Sequence, residues 1–346
     1  MTTNSIKCLV AILASVAAPA LFLQPLAEVV AQGAKDGKPV LTLKADGMVW
    51  SVAFSPDGKH LAWGTAASTV TIWDLKTGKQ AQKLDDFKSK SIGGVAFSPD
   101  GKHLAVVGSF PGSPWIRDAV TGKVLAKLEQ GGGWSIHYSP DGKRLAWSST
   151  EETIIWDAVA SKRVAVMRRG DFPIQYEVFS RDSKRLATIE VDGEVKIWEA
   201  ESGKKVGSIP AKDNRGGGVD FSPDGKEVVL SGGFPKDPDV WDIKVCSAAD
   251  GKEVRRFAAH KEAAWRVCYS PDGKRLASAG EGEDLTVKVW DAVTYKELQT
   301  LKGHRAGASH MIGLARGITD IAWSQDSKLL ASADGEGNVL VWSVGD

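Results

Sequence analysis

Residues 50–79 read WSVAFSPDGKHLAWGTAASTVTIWDLKTGK, and the alternation within this stretch dictates strands separated by tight turns. The run SVAF is followed by Ser55-Pro56-Asp57-Gly58. There Pro56 fixes φ at the first turn position, Asp57 tolerates the second, and Gly58 takes the left-handed position that closes a hairpin. A second alternating run, HLAWG, follows the turn, and a third ends in Trp73-Asp74. Lys76-Thr77-Gly78-Lys79 then turns the chain into a short fourth strand.

The turn signature recurs. FSPDG stands at Phe54, Phe97 and Phe221, YSPDG at Tyr138 and Tyr269, FSRDS at Phe179 and WSQDS at Trp323, spaced 43, 41, 41, 42, 48 and 54 residues apart in chain order. A unit of this length suits a four-stranded propeller blade. Third strands ending in Trp recur too, as ETIIWD to Asp157, EVKIWE to Glu199, TVKVWD to Asp291 and NVLVW to Trp342. Seven units of this form resemble the WD-repeat β-propeller family across Asp36–Asp346. The resemblance implies an all-β, seven-bladed propeller of four-stranded antiparallel blades, in an exported, bacterial-type member of the family.

The chain ends predict how the ring closes. Residues 36–44 (DGKPVLTLK) read as a turn and a fourth strand with no blade before them, while the chain stops four residues after Trp342, where a turn and fourth strand are due. The amino-terminal strand is therefore expected to complete the last blade and remove its free edge. Two blades depart from the pattern. Blade 2 places Arg117 where Trp is expected. In blade 5 Trp241-Asp242 competes with a gapless alignment that puts Cys246 at the Trp position, and the gapless reading is preferred.

Ahead of the repeats, Lys7 precedes an apolar run from Cys8 to Leu23 and a small-residue tail, the layout of a secretory signal. Residues 1–31 are read as that signal, cut after Ala31 because Val29 and Ala31 fit the small-x-small rule, with 32–35 a short linker and 36–346 the propeller. An uncleaved anchor is the alternative reading. Either way the rest of the chain is expected to be exported, periplasmic or extracellular, and on the cleaved reading the mature chain carries no membrane span. Losing Cys8 with the signal leaves Cys246 and Cys268, which could form one bridge but are expected to lie apart, Cys246 ending a third strand and Cys268 sitting in the innermost strand of the next blade. With 44 Lys and Arg against 43 Asp and Glu in 346 residues, the chain offers no field of one sign to hold nucleic acid.

A catalytic constellation is not apparent. None of the six histidines has a metal-ligand spacing, no nucleophile or phosphate-loop motif occurs, and a lone turn carboxylate lacks the ligand count that a hard cation needs. No metal or cofactor is expected. The resemblance implies a structural role for one histidine instead. His260, Ser278, Asp284 and Trp290 of blade 6 match the family's buried hydrogen-bond tetrad. Blade 7 matches through His304, Ser332 and Trp342 with Glu336 replacing the Asp, and blade 4 keeps Asp192 and Trp198 without a His.

Function is expected on one rim. The b–c turns and d–a loops share a face opposite the SPDG turns, and both long insertions fall there: GGFPKDPDVWD in blade 5 and HRAGASHMIGLARG before blade 7. Phe110 and Phe234 are candidate apolar tips, and Arg305, Met311, Ile312, Leu314 and Arg316 have the composition of an apolar anchor with a charged border. Four residues before the turn anchor stand Trp50, Trp134 and Trp265, either contact residues or wedges between blades. The expected function is a monomeric, non-catalytic protein–protein interaction scaffold. The alternative, an enzyme or small-ligand binder using the central channel, requires acids or histidines to converge on the channel mouth, and the sequence does not line them up there.

Overall fold

The computed structural model describes residues 37–109, 112–128, 131–210, 217–232, 241–282, 284–305 and 317–345. Seven four-stranded antiparallel sheets follow one another, six of them built from four consecutive strands, a to d. The seventh takes its outer strand from the other end of the chain, since Pro39–Lys44 pairs with Asn338–Ser343 in the order that closes blade 7. Leu43 lies opposite Val339 and Leu41 opposite Val341. Lys44 Nζ donates to Asn338 Oδ1 at 3.1 Å and to the Glu336 carbonyl at 2.7 Å. The expected closure is observed.

Each SPDG turn is stabilised in the same way. Ser55 Oγ donates to Asp57 Oδ1 at 2.6 Å, and that carboxylate also accepts the Lys59 N–H at 3.1 Å. The Ser-to-Asp bond recurs in all seven blades. Gly58 sits at φ +68°, as the turn requires. In blades 4 and 7 the same position holds Ser183 and Ser327, at φ +60° and +61°. Their hydroxyls accept the N–H of Asp141 and Asp272, at 3.0 and 2.9 Å, and so tie each turn to the blade before it. The strain of a left-handed serine is offset by a bond that glycine cannot make.

The Asp that follows the third-strand Trp, or Arg117 in its place in blade 2, is also a turn device. Asp74 Oδ1 accepts the Thr77 N–H at 2.8 Å, and Asp118, Asp157 and Asp291 repeat the contact. These backbone bonds come first among the causes holding the four carboxyls below their ordinary value.

The core is divided among the seams between blades, each filled by aliphatic residues on facing sheets, as in the cluster of Leu43, Val52, Leu61, Trp63, Val339 and Val341 between blades 7 and 1. Stability is therefore nearest-neighbour in character, as in other repeat proteins. The register places Arg117 opposite Leu104 and Cys246 opposite Val228, the pairing that Trp73 makes with Leu61 and Trp290 with Leu276. The gapless reading of blade 5 holds, and Arg117 occupies a Trp position. Arg117 is buried beneath Phe87 and paired with Asp86 at 2.5 Å.

Candidate functional site

The innermost strands line a central channel whose cavity of about 710 Å³ runs from Trp50 and Trp134 at one mouth to Pro56, Pro99, Pro140 and Gln325 at the other. The Trp mouth lies on the face carrying the b–c turns, where Ala66 N–H bonds the Met48 carbonyl and Trp134 N–H the Ser148 carbonyl. The inserted d–a segment leaves and rejoins the propeller on the same face. Arg305 is exposed beside the buried His304, and the Gly317 carbonyl accepts from Gly335 N–H at 3.3 Å.

Blades 1 and 3 bring two of the three candidate tryptophans together. Trp50 and Trp134 pack edge to face with centroids 6.4 Å apart, and Trp134 is 43% exposed. Blade 2 permits this because Gly93 stands where they carry Trp, and a Cβ there would lie 2.5 Å from the Gly133 carbonyl. Trp265 is not part of the pair, and the Arg266 guanidinium lies 5.9 Å from its ring. Phe110, Phe234, Met311, Ile312, Leu314 and Arg316 lie outside the described residues, as do 1–36 with the expected signal and linker.

The channel wall differs from the expectation that no acids or histidines converge. Asp320 Oδ1 accepts from Arg266 Nε at 3.2 Å, while its Oδ2 accepts the Val52 N–H at 2.9 Å. The Arg266 guanidinium stacks 4.3 Å above the Tyr176 ring. Tyr176 hydroxyl reaches His137 Nε2 at 3.0 Å, and His137 Nδ1 lies 3.4 Å from Glu177 Oε1, whose partner oxygen accepts from Ser135. A polar belt thus crosses blades 7, 6, 4 and 3, while blades 1 and 2 contribute small residues such as Ala53, Gly93 and Ala96. The sequence did contain the signal. Tyr176, Arg266 and Asp320 all stand three residues before the anchor and His137, Asp220 and Cys268 one before, so comparing these two columns would have grouped them.

Blade 5 sits within a clamp. Arg181 of blade 4 donates to the carbonyls of Ser270 and Pro271 in blade 6, past blade 5 at the SPDG end. Between this and the Arg266–Tyr176 stack lies Asp220, whose carboxylate accepts the Tyr269 and Phe221 N–H groups at 2.8 Å. Burial pushes its carboxyl up to about 6. A raised value means that this group's contribution to stability is fully present below about 4 and is lost as pH rises through about 6. Asp220→Asn should therefore flatten that decline. The stability difference between parent and variant is expected to change by about 2 kcal/mol from pH 4 to 7 in paired thermal melts, and a constant difference would contradict the assignment. Burial likewise raises the Cys268 thiol, which disfavours the nucleophilic thiolate.

The tetrad residues form buried hydrogen-bond chains. In blade 6, Trp290 Nε1 donates to Ser278 Oγ at 2.9 Å, Ser278 Oγ meets His260 Nε2 at 2.7 Å, and His260 Nδ1 meets Asp284 Oδ2 at 3.2 Å. A neutral imidazole protonated at Nδ1 satisfies every contact, and burial first disfavours its charged form. Blade 7 repeats the chain through Trp342, Ser332 and His304, but the carboxylate is Asp334, 2.7 Å from His304, and not the Glu336 that the alignment placed there. Asp334 lies two residues after Ser332, at the end of the second strand, whereas Asp284 lies in the turn. Blade 4 is also corrected. Asp192 caps Glu194 in the turn, and the buried corner is filled by Glu190 paired with Lys196. Blades 1 and 3 replace the serine by Trp63 and Trp147, which lean on Trp73 and Trp156 at 6.0 and 6.2 Å.

Among the described residues no group of three or more His, Cys, Asp or Glu is arranged to hold a metal, and no helix is long and apolar enough to cross a membrane. The family model described as WD domain, G-beta repeat matches residues 37–74, 251–291 and 295–343. Each match begins at an outer strand and ends at the third strand of the following blade, and the last two end in the blades with complete tetrads. WD40 repeats are thus present in the chain. It is similar to apoptotic protease-activating factor 1 of Homo sapiens, 24% identical over 205 residues (54% of this chain, 16% of that protein). The Rattus norvegicus protein of that name is 25% identical over 203 residues (54% and 16%), and Protein HIR1 of Yarrowia lipolytica 23% over 202 (51% and 17%). The chain spans about a sixth of the length of these curated relatives.

Proposed function

We propose that this protein is a non-catalytic, monomeric protein-interaction platform that engages its partner with the face carrying the b–c turns and d–a loops, outside the cytoplasm. The observation that carries the reading is the Trp50–Trp134 pair, with Trp134 43% exposed at a channel mouth. Tryptophan is the side chain most enriched among interface residues that dominate binding energy, and a mouth bordered by loops supplies the surrounding seal. The WD40 repeats support a binding role in general terms, since propellers of this kind serve mainly as protein-interaction scaffolds. The near balance of charge argues against a polyanionic partner. The apolar run 8–23 with its small-residue exit supports export.

Affinity capture by the mature protein, compared with Trp134→Ala and with residues 305–316 replaced by a short Gly/Ser turn, tests the reading. Trp134→Ala should weaken binding by about 2 kcal/mol, some thirtyfold, at under about 1 kcal/mol of stability, because an exposed ring contributes little to the core. Unchanged capture by both variants would move attention to the SPDG face. Amino-terminal sequencing of the exported form should begin near Gln32, and a retained Met1 on membrane-bound protein would refute cleavage.

A further inference from the structure

The polar belt and the tryptophan pair make one closed circuit around the channel. Asp320 of blade 7 accepts the Val52 N–H, and Val52 stands two residues after Trp50 on the first strand of blade 1, Val49–Phe54. From Asp320 the contacts pass to Arg266, then to the Tyr176 ring beneath its guanidinium, and from the Tyr176 hydroxyl to His137. His137 stands three residues after Trp134. Ser135, between them, donates to Glu177, the carboxylate that also faces His137. Trp134 meets Trp50 edge to face, past Gly93 of blade 2, and closes the circuit.

Histidine is the side chain that gains its charge between about pH 5 and 8, and His137 is the only histidine in this circuit. Its side chain is 30% exposed, whereas Glu177 is fully buried. A carboxylate only accepts, so in the neutral imidazole Nδ1 carries the proton toward Glu177 and Nε2 accepts from the Tyr176 hydroxyl. Adding a proton turns Nε2 into a donor and reverses the polarity of that bond. It also sets a second cation against the Tyr176 ring, which lies 5.0 Å from the imidazole and already carries Arg266 at 4.3 Å. Toward Glu177 the effect is opposite. The 3.4 Å contact exceeds the roughly 2.7–2.9 Å of a charge-assisted bond, so the imidazolium is drawn toward the carboxylate that Ser135 shares. The pull falls on the chain segment that carries Trp134 and loosens its packing on Trp50.

The other charged groups near His137 are engaged elsewhere. The first strand of blade 2, Ile92–Phe97, brings no ionisable side chain to it. Arg144 on the second strand of blade 3 pairs with Asp157, and His103 heads the second strand of blade 2 at the SPDG end. Across the channel Arg266 and Asp320 pair with each other. Asp220 of blade 5, whose carboxyl burial pushes up to about 6, changes charge over the same range and has to be separated by experiment. We infer that His137 is a pH-sensitive link that couples the channel wall to the Trp50–Trp134 mouth, so that acid weakens binding on that face. The inference rests on the proposed function for what the mouth binds and on the circuit alone for the coupling.

The test follows the indole N–H signal of Trp134 in the 15N-labelled full chain, identified by its loss in Trp134→Phe, as the solution is taken from about pH 8 to 5. The signal is expected to move in step with the His137 imidazole signals, which are identified by their loss in His137→Gln. His137→Gln, which keeps a hydrogen-bonding side chain without a titrating group, should abolish the movement. Tyr176→Phe keeps the ring under Arg266 and should at least halve it, whereas Asp220→Asn should leave it unchanged. A Trp134 signal that stays still over this range, moves equally in His137→Gln, or stops moving in Asp220→Asn would overturn the coupling. Proteins that the parent retains at pH 8 and Trp134→Ala does not should be retained about fivefold less at pH 5, within the usual strength of coupling between two sites. His137→Gln should retain them equally at both, and an equal fall in parent and variant would overturn the regulatory role. If no such proteins are found the rim reading fails, while the Trp134 signal, read without partner, still decides the coupling.

Discussion

A variant lacking residues 36–44 should melt about 10 °C or more below the full chain and should self-associate. The segment supplies the whole outer strand of blade 7, with Leu43 6% exposed and packed in the seam with Val339 and Val341. Removing it forfeits about 2 kcal/mol for Leu43 alone, and roughly 1 kcal/mol for each ladder bond lost along Asn338–Ser343. The larger consequence is topological. Asn338–Ser343 becomes an unpaired edge, a template for strand pairing between molecules. Differential scanning calorimetry and sedimentation velocity measure both effects. A variant that melts with the parent and sediments as the same species would show that the strand does not close the ring.

Trp342→Ala should cost about 4 kcal/mol, among the largest single-residue effects expected for the described residues. Trp342 is fully buried, packs with Leu340, Ile318 and Val344, and donates its indole N–H to Ser332 at 2.8 Å. Substitution opens a cavity and also removes the donor that orients the Ser332–His304–Asp334 chain. The two contributions separate by comparison with Phe. Trp342→Phe should cost 1–2 kcal/mol more than Trp73→Phe, because Trp73 Nε1 has no hydrogen-bond partner among the described residues and the change there forfeits none. Chemical denaturation of both variants decides it, and equal losses would mean that the tetrad contributes packing alone.

These expectations rest on features of unequal legibility. The blade count, the turn chemistry and the closing strand were readable because each is set by local rules. Pro, Asp and Gly at fixed turn offsets specify a hairpin wherever they occur, and the spare strand Pro39–Lys44 has the pattern of the outer strand that the last blade lacks. Even the odd positions, Arg117 and Cys246, fell where alignment placed them, because β register leaves no freedom to slip a residue without turning every side chain to the wrong face.

What the sequence by itself determined is therefore the repeating scaffold, down to which residue of each blade occupies the tetrad tryptophan position. The tertiary structure decided which groups from different blades meet. His137, Tyr176, Glu177, Arg266 and Asp320 are up to 183 residues apart in the chain, yet they form one belt because ring closure brings every innermost strand to a common axis. The same holds for the carboxylate of blade 7. Asp334 and Glu336 differ by two residues in sequence, and only the fold shows that the Asp334 carboxylate, which also accepts from the Asn338 N–H and Nδ2, is the one that meets His304. Local rules act through bonds and near neighbours, whereas the channel is made by contacts across blades, which no single repeat contains.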